Sequence, residues 1–145
     1  MVSIPELMRA ARWSYRQATA AQLAADGFED LPRNGAVLVA CLANGEESTE
    51  EITRGLGISK QAFSQLVDTL VLRGYVTRDI NPQDRRRMTL ALTGQGSAAA
   101  DAIAAATSAV DEELSRRLPE AEIAVLRRGL AVLGEIGELY RSSRQ

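Results

Sequence analysis

Apolar side chains recur at helical spacing over most of this chain, and the pattern predicts six helices and one hairpin. After Pro5, apolar positions return every three or four residues as far as Ala25, which is the period of an amphipathic helix. A short and almost wholly apolar stretch, GAVLVACLANG, follows and is closed by the helix-stop pair Asn44-Gly45. After Pro119 a second long stripe runs from Ile123 to Tyr140. Long amphipathic helices are therefore expected at both ends of the chain.

The middle of the chain predicts two short helices joined by a tight turn. Ser48 stands three residues before Glu51, the spacing of a capping box, so a helix should begin there and end near residues 55–57. Ser59 occupies the N-cap position of the next helix, and Gly74 the position of its C-terminal cap. Two helices with a glycine-containing turn between them are typical of a helix-turn-helix.

Two short strands come next, YVTRDI and RMTLAL, and they flank the turn Asn81-Pro82-Gln83-Asp84. Thr93 can then cap an alanine-rich helix over residues 94–117. We therefore predict a mainly α fold with a small β-hairpin wing, formed as a single domain over residues 1–145.

The composition excludes several classes of chemistry. The chain has no histidine and a single cysteine, which removes histidine-based catalytic triads and the common zinc sites. We expect no catalytic residues, no metal and no cofactor. The N-terminus lacks the apolar block of a signal peptide, and no apolar run approaches the length of a membrane span, so a cytoplasmic protein without membrane contact is expected. The apolar neighbours of Cys41 favour a core thiol over an oxidant sensor, although its redox activity is left open.

Positive charge is concentrated in the centre of an otherwise acidic chain. The net charge is −2, yet residues 54–87 contain seven basic residues against three acidic ones. Such a localised basic segment is typical of a surface that meets nucleic acid.

The second helix of the helix-turn-helix begins with small or polar side chains. In this motif the second helix enters the major groove, and its first residues contact base edges. Glutamine pairs with adenine, lysine with guanine and serine with either base. The candidate DNA contacts here are Ser59, Lys60, Gln61, Ser64 and Gln65. The alternative is an ordinary solvated polar face.

The hairpin favours the DNA interpretation, because three consecutive arginines lie at its predicted tip. Arginine suits a narrow minor groove, since its guanidinium is weakly hydrated. We expect Arg85 and Arg86 to serve this wing. Backbone contacts are predicted for Arg87, Arg54 and Arg73. Asp84 and Asp68 are expected to hold wing arginines in position through carboxylate–guanidinium pairs.

At these residues the chain resembles the MarR (multiple antibiotic resistance regulator) family. The matching text is STEEITRGLGISKQAFSQLVDTLVLRGYVTR followed by NPQDRRRMTLALTGQG. Its hallmarks are the Asp84-Arg85-Arg86 wing, an apolar strand, and Leu-Thr-x-x-Gly over residues 92–96. Asn81 stands where the family more usually has Asp, and Arg87 adds a third arginine.

The resemblance implies a homodimeric winged-helix transcription regulator, usually a repressor, that binds a pseudo-palindromic operator in double-stranded DNA. Residues 1–28 and 94–145 would form the dimerisation helices, and residues 32–93 the winged helix-turn-helix lobe. Family members often respond to a ligand held between these parts, so release by a small lipophilic or aromatic effector is expected, although the existence of such an effector is left open.

Three other interpretations carry less support from the residues. A winged-helix protein-interaction module would not need the wing arginines. An enzyme that uses carboxylates alone lacks any recognisable nucleophile or glycine-rich motif. The stretch Gly94-Gln95-Gly96-Ser97-Ala98-Ala99 has the spelling of a dinucleotide-binding fingerprint, but that fingerprint requires a second parallel strand after its helix, where this chain predicts another helix.

Overall fold

The computed structural model describes residues 1–46, 48–80, 82–84 and 88–144. Their elements, in chain order, are α1 (Ile4–Ala25), α2 (Arg33–Ala43), α3 (Thr49–Leu56), α4 (Lys60–Leu72), β1 (Val76–Ile80), β2 (Met88–Leu92), α5 (Gly94–Arg117) and α6 (Glu120–Ser142). The predicted mainly α fold with one small hairpin is therefore confirmed. The residues group into two compact units, Met1–Ser108 and Ala109–Gln145, and the division falls inside α5.

Most helices begin at a side chain that accepts a hydrogen bond from a free backbone amide. Ser3 and Glu6 form a complete capping box at α1. The Ser48 hydroxyl accepts from the Glu51 amide at 3.2 Å, and the Ser59 hydroxyl accepts from the Ala62 amide at 3.0 Å. Each such cap replaces a lost intrahelical partner and stabilises its helix by about 1 kcal/mol. The serine caps expected at α3 and α4 are thus confirmed.

The core lies entirely within the first unit. Its largest fully buried side chains are Tyr75, Leu38, Leu70, Val39, Val67 and Val76. Burying one such apolar side chain contributes roughly 1.5–3 kcal/mol. α5 adds one large side chain to this core, that of Ile103. Its other buried residues are all small, namely Gly96, Ala99, Ala100, Ala102 and Ala106. Small side chains allow the backbone of α5 to approach its neighbours closely.

The hairpin is a two-stranded antiparallel sheet. Val76 is paired with Leu92 at its base, and Ile80 with Met88 at its outer end. Along β2 the odd side chains are exposed and the even ones half-buried, so one face of the strand packs against the core. The hairpin is consequently anchored to the core along β2.

The second unit contains the end of α5 and the whole of α6. Glu113 forms ion pairs with Arg116 at 3.0 Å and with Arg117 at 2.7 Å along α5. No residue of α6 is buried, although the helix carries an apolar stripe. None of the described helices combines the length and the hydropathy that a membrane-spanning segment requires.

Candidate nucleic-acid interface

The turn between α3 and α4 is built from a left-handed glycine and a capping serine. Gly57 has φ +67°, a conformation that side-chain-bearing residues adopt only with strain, and its amide donates to the Arg54 carbonyl. Ser59, two residues later, caps α4. The chain therefore reverses within three residues, as a helix-turn-helix requires. The amides of Lys60 and Gln61 then lie in the first turn of α4, where no intrahelical acceptor exists and the helix dipole is positive.

The two faces of α4 differ sharply. Phe63, Val67 and Leu70 are buried in the core. The side chains of α4 and its cap that were predicted as DNA contacts are exposed, namely Ser59, Lys60, Gln61, Ser64 and Gln65. The predicted orientation of this helix is confirmed, and its N-terminal half presents donors and acceptors without a single carboxylate.

Asp68 links α4 to the first strand of the hairpin. Its carboxylate pairs with the guanidinium of Arg78 on β1 at 2.8 Å, with the Asp68 side chain 59% exposed and that of Arg78 32% exposed. We expected Asp68 to hold an arginine of the wing tip; the structure gives it a strand arginine instead. The pair joins β1 to α4, and the sequence analysis did not identify Arg78 as the partner of Asp68. The only indication of this pair in the sequence was that Arg78 carries the opposite charge and follows Asp68 by ten residues.

The arginines of the wing tip lie outside the described residues. These are Arg85, Arg86 and Arg87, so their predicted contacts stay predictions. Asp84 belongs to the described part of the turn and is exposed. The pairing predicted between Asp84 and the following arginines also stays a prediction.

Two further arginines were predicted as backbone contacts, and the structure places them differently. Arg54 is exposed in the last turn of α3, beside the turn of the motif. Arg73 instead caps the C-terminal end of α4, about 20 Å along the helix from Ser59 by the usual rise per residue. Its guanidinium donates to the Asp30 carbonyl. Arg73 therefore braces the loop between α1 and α2, and its role as a DNA contact stays a prediction.

Tyr75 reinforces the same brace from inside the core. Its hydroxyl donates to the Asp30 carboxylate, and its ring lies edge-on to Phe28 with the centroids 6.2 Å apart. Burial raises the pKa of Tyr75, and the hydrogen bond to Asp30 raises it further. The phenol is therefore a neutral donor at physiological pH. These contacts fix the C-terminal end of α4 to the α1–α2 loop, whereas the polar side chains at its N-terminal end are exposed.

The Leu-Thr-x-x-Gly motif after the hairpin fastens α5 to the end of α4. The Thr93 hydroxyl donates to the Gly74 carbonyl at 2.5 Å and accepts from the Gly96 amide at 3.0 Å. Gly96 packs so closely against the Tyr75 carbonyl that a Cβ at this position would collide with the backbone. The threonine and the glycine of the motif are thus explained by one junction. The predicted capping role of Thr93 is confirmed.

Other chemistry finds little support in the described part of the chain. Its one sheet is antiparallel, and α5 leads into α6, so the parallel strand that a dinucleotide fold needs is not formed by these residues. No three potential metal-ligating side chains converge among them. Cys41 is half-buried, and burial, then a hydrogen bond and the charge of Glu46, raise its pKa to about 11. Its thiol is therefore protonated and weakly nucleophilic at neutral pH.

The capped turn, the exposed N-terminal half of α4 and the adjoining hairpin together define a winged helix-turn-helix protein. Residues 32–87 match the model of the MarR family. This finding agrees with the family that the wing and the Leu-Thr-x-x-Gly motif indicated.

Individual relatives point the same way. The chain is 29% identical over 98 residues to a putative transcriptional regulatory protein for the hcr operon from Thauera aromatica. The match covers 68% of this chain and 55% of that protein, so the chain spans about half the length of this curated relative.

Solved structures of similar proteins share the fold. FabT from Streptococcus pneumoniae in complex with DNA superposes with a TM-score of 0.77 at 22% identity, covering 93% of this chain and 95% of its own. The reduced form of MarR from E. coli gives a TM-score of 0.71 at 21% identity, covering 92% and 97%.

Proposed function

We propose that this protein is a homodimeric transcription regulator that binds a pseudo-palindromic DNA operator. The observation that carries the proposal is the N-terminal half of α4, which is capped, exposed and free of acids. Lys60, Gln61, Ser64 and Gln65 are its base-reading or phosphate-binding side chains. Ser59 caps the helix and adds a phosphate contact at the positive end of the helix dipole.

The hairpin supplies the second contact with the duplex. Asp68 and Arg78 join β1 to α4, and the sequence between β1 and β2 contains Arg85, Arg86 and Arg87. Arginine in an adjacent minor groove adds affinity through the negative potential there. That FabT, a protein of the same fold, has been solved in complex with DNA supports DNA binding by this chain.

Dimerisation is proposed from the surface of the terminal helices. The large apolar side chains of α6 are between 38% and 73% exposed, and they are Val125, Leu126, Leu130, Val132, Leu133, Ile136, Leu139 and Tyr140. α1 adds Ile4, Leu7 and Trp13, each more than half exposed. Exposed apolar surfaces of this extent are typical of an interface. A two-fold dimer would place two copies of α4 on half-sites about one DNA turn apart.

The regulator acts as a repressor that a small effector releases from DNA. This part of the proposal is supported by the match of residues 32–87 to the MarR family model. The dimer would have two conformations that differ in the spacing of its DNA-binding lobes, only one of which fits the operator. An effector releases DNA when it binds the other conformation more tightly.

The experiment is a fluorescence anisotropy titration of the protein against DNA from upstream of its own gene, with unrelated DNA alongside, over several salt concentrations. The upstream fragment should bind more tightly, and the affinity should fall steeply with salt. Arg86→Ala should flatten the plot of log affinity against log salt by about one. Arg116→Ala, which removes an exposed arginine of α5, is the matched control and should leave the slope unchanged.

Absence of binding to either DNA at low salt would overturn the proposal and would favour a protein-interaction module. Analytical ultracentrifugation tests the dimer separately. Leu130→Asp with Ile136→Asp should shift the chain towards monomer, because each charge would be buried in the interface. Glu135→Gln on the same helix should not. A wild-type protein that sediments as a monomer throughout would contradict the dimer.

A further inference from the structure

A cavity of 490 Å³ opens on the side of the first unit. Its walls come from the end of α2, from β2 and from the start of α5. The apolar part of the lining comprises Leu42, Leu90, Leu92 and Ala100. None of the lining residues belongs to the set assigned to DNA, so this is a distinct place in the molecule. Its volume lies within the range of about 300–1,000 Å³ that small-molecule sites occupy.

The charge of the cavity has one sign. Its two ionisable lining residues are Glu46, in the segment after α2, and Asp101, in the second turn of α5. Both are exposed, and in the described ranges neither forms an ion pair with a basic side chain. Two acids from separate elements therefore face the same opening without a cation between them.

The end of α2 adds to this negative potential. Leu42, Ala43 and Gly45 line the cavity, and the last turn of α2 contains no basic residue. Helix C-termini carry a partial negative charge from their free carbonyl groups, and a cation nearby is favourable. Three sources of negative potential thus converge on a surface whose remaining walls are apolar.

From this combination we infer that the cavity binds an amphipathic organic cation, such as an aromatic amidine or amine. The apolar walls accept the hydrocarbon body, and the carboxylates accept charge-assisted hydrogen bonds from the cationic group. A bare divalent ion is a poorer match, because it requires about six oxygen ligands and gains nothing from the leucines. If the proposed function holds, such a cation belongs to the class of its effector; the binding itself does not depend on DNA.

The test uses benzamidinium and its neutral isostere benzamide, titrated into the full-length protein without DNA and followed by amide chemical shifts in NMR. Benzamidinium should bind at least about tenfold more tightly than benzamide, since only the cation makes charge-assisted hydrogen bonds. The shifts should map to the amides of Leu92, Ser97 and Asp101. Because no DNA is present, failure here would leave the proposed function standing, and failure of DNA binding would leave this inference standing.

The double variant Glu46→Gln with Asp101→Asn keeps the shape of both side chains and removes their charge. It should lower the affinity for benzamidinium by about tenfold or more and leave that for benzamide unchanged. Glu122→Gln, which removes an acid from α6, is the matched control and should change neither. Circular dichroism of each variant confirms folding, as expected for exposed positions. Equal affinity for both probes, shifts that map elsewhere, or no binding of benzamidinium at millimolar concentration would each overturn the inference.

Discussion

α4 and α6 are both amphipathic helices, yet they use their apolar stripes differently. α4 spans 13 residues and buries Phe63, Val67 and Leu70 in the core of its own unit. α6 spans 23 residues and buries none. A helix whose apolar stripe is buried in the core of its own unit can present its other face to a ligand in a fixed orientation. A longer helix whose stripe is left exposed contributes to stability only when another surface covers it. The interior of one chain supports α4, whereas the exposed stripe of α6 is the basis of the proposed dimer.

The largest predicted effect is a loss of unfolding free energy that should differ between α4 and α6. Leu70→Ala removes a fully buried side chain of α4 and should lower the free energy of unfolding by about 2–5 kcal/mol at every protein concentration. Leu130→Ala acts on a leucine of α6 that is 46% exposed, so its cost should appear only through association and should depend on concentration. Urea unfolding at two protein concentrations measures both. Equal, concentration-independent losses would break the distinction.

The packed unit should also control the chemistry of its cysteine. Because the pKa of Cys41 is raised from 9.0 to about 11, the folded protein holds about a hundredfold less thiolate at pH 8 than the unfolded chain. The rate of alkylation by iodoacetamide should therefore be about a hundredfold lower in the folded state. It should rise with pH up to about 11, whereas that of the urea-unfolded chain should level off near 9. Unfolding lets the thiol ionise at lower pH, so the stability linked to Cys41 is present below pH 9 and is lost as pH rises towards 11.

Glu46→Gln provides the control for that rate profile. It removes the charge of Glu46, which is the smallest cause of the shift, and leaves burial, which is the largest, so the pKa of Cys41 should fall only in part. A folded-state profile that levels off near pH 9 would show that the thiol is not shielded.

A third prediction concerns the junction that holds α5 on the packed unit. A methyl group at Gly96 would collide with the Tyr75 carbonyl and lie 3.2 Å from a methyl group of Leu92. Gly96→Ala should therefore lower the free energy of unfolding by about 1–3 kcal/mol. Gly94→Ala, two residues earlier on the same helix, meets no atom within 4 Å and should be neutral or slightly stabilising. Thermal unfolding of the two variants compares them, and an equal loss in both would contradict the close packing.

The sequence predicted what depends on local periodicity and caps, and it missed what depends on distant contacts. The order of helices, the Ser59 cap, the outward face of α4 and the Thr93 cap all follow from residues within a few positions of one another. The brace from Arg73 and Tyr75 to Asp30 joins residues more than forty positions apart, and Asp30 lies in a loop without a periodic pattern. The acidic cavity brings together Glu46, Leu90 and Asp101, whose proximity follows only from the folded chain.

The smallest effect concerns the ion pair of Asp68 and Arg78, which joins α4 to the hairpin. Asp68→Asn removes a partly exposed pair at 2.8 Å and should cost only about 0.2–1 kcal/mol of stability, a difference that high salt should erase.

The effect of Asp68→Asn on DNA affinity should be more informative, because two consequences oppose each other. Loss of an acid strengthens binding to any DNA, whereas loss of the strand's position weakens binding to the operator alone. The ratio of operator to unrelated affinity should therefore fall. Asp79→Asn, an exposed acid on β1, is the control and should raise both affinities together. If Asp68→Asn also raised both equally, Asp68 would contribute only its charge, and the proposed base-reading end of α4 would not depend on the strand beside it.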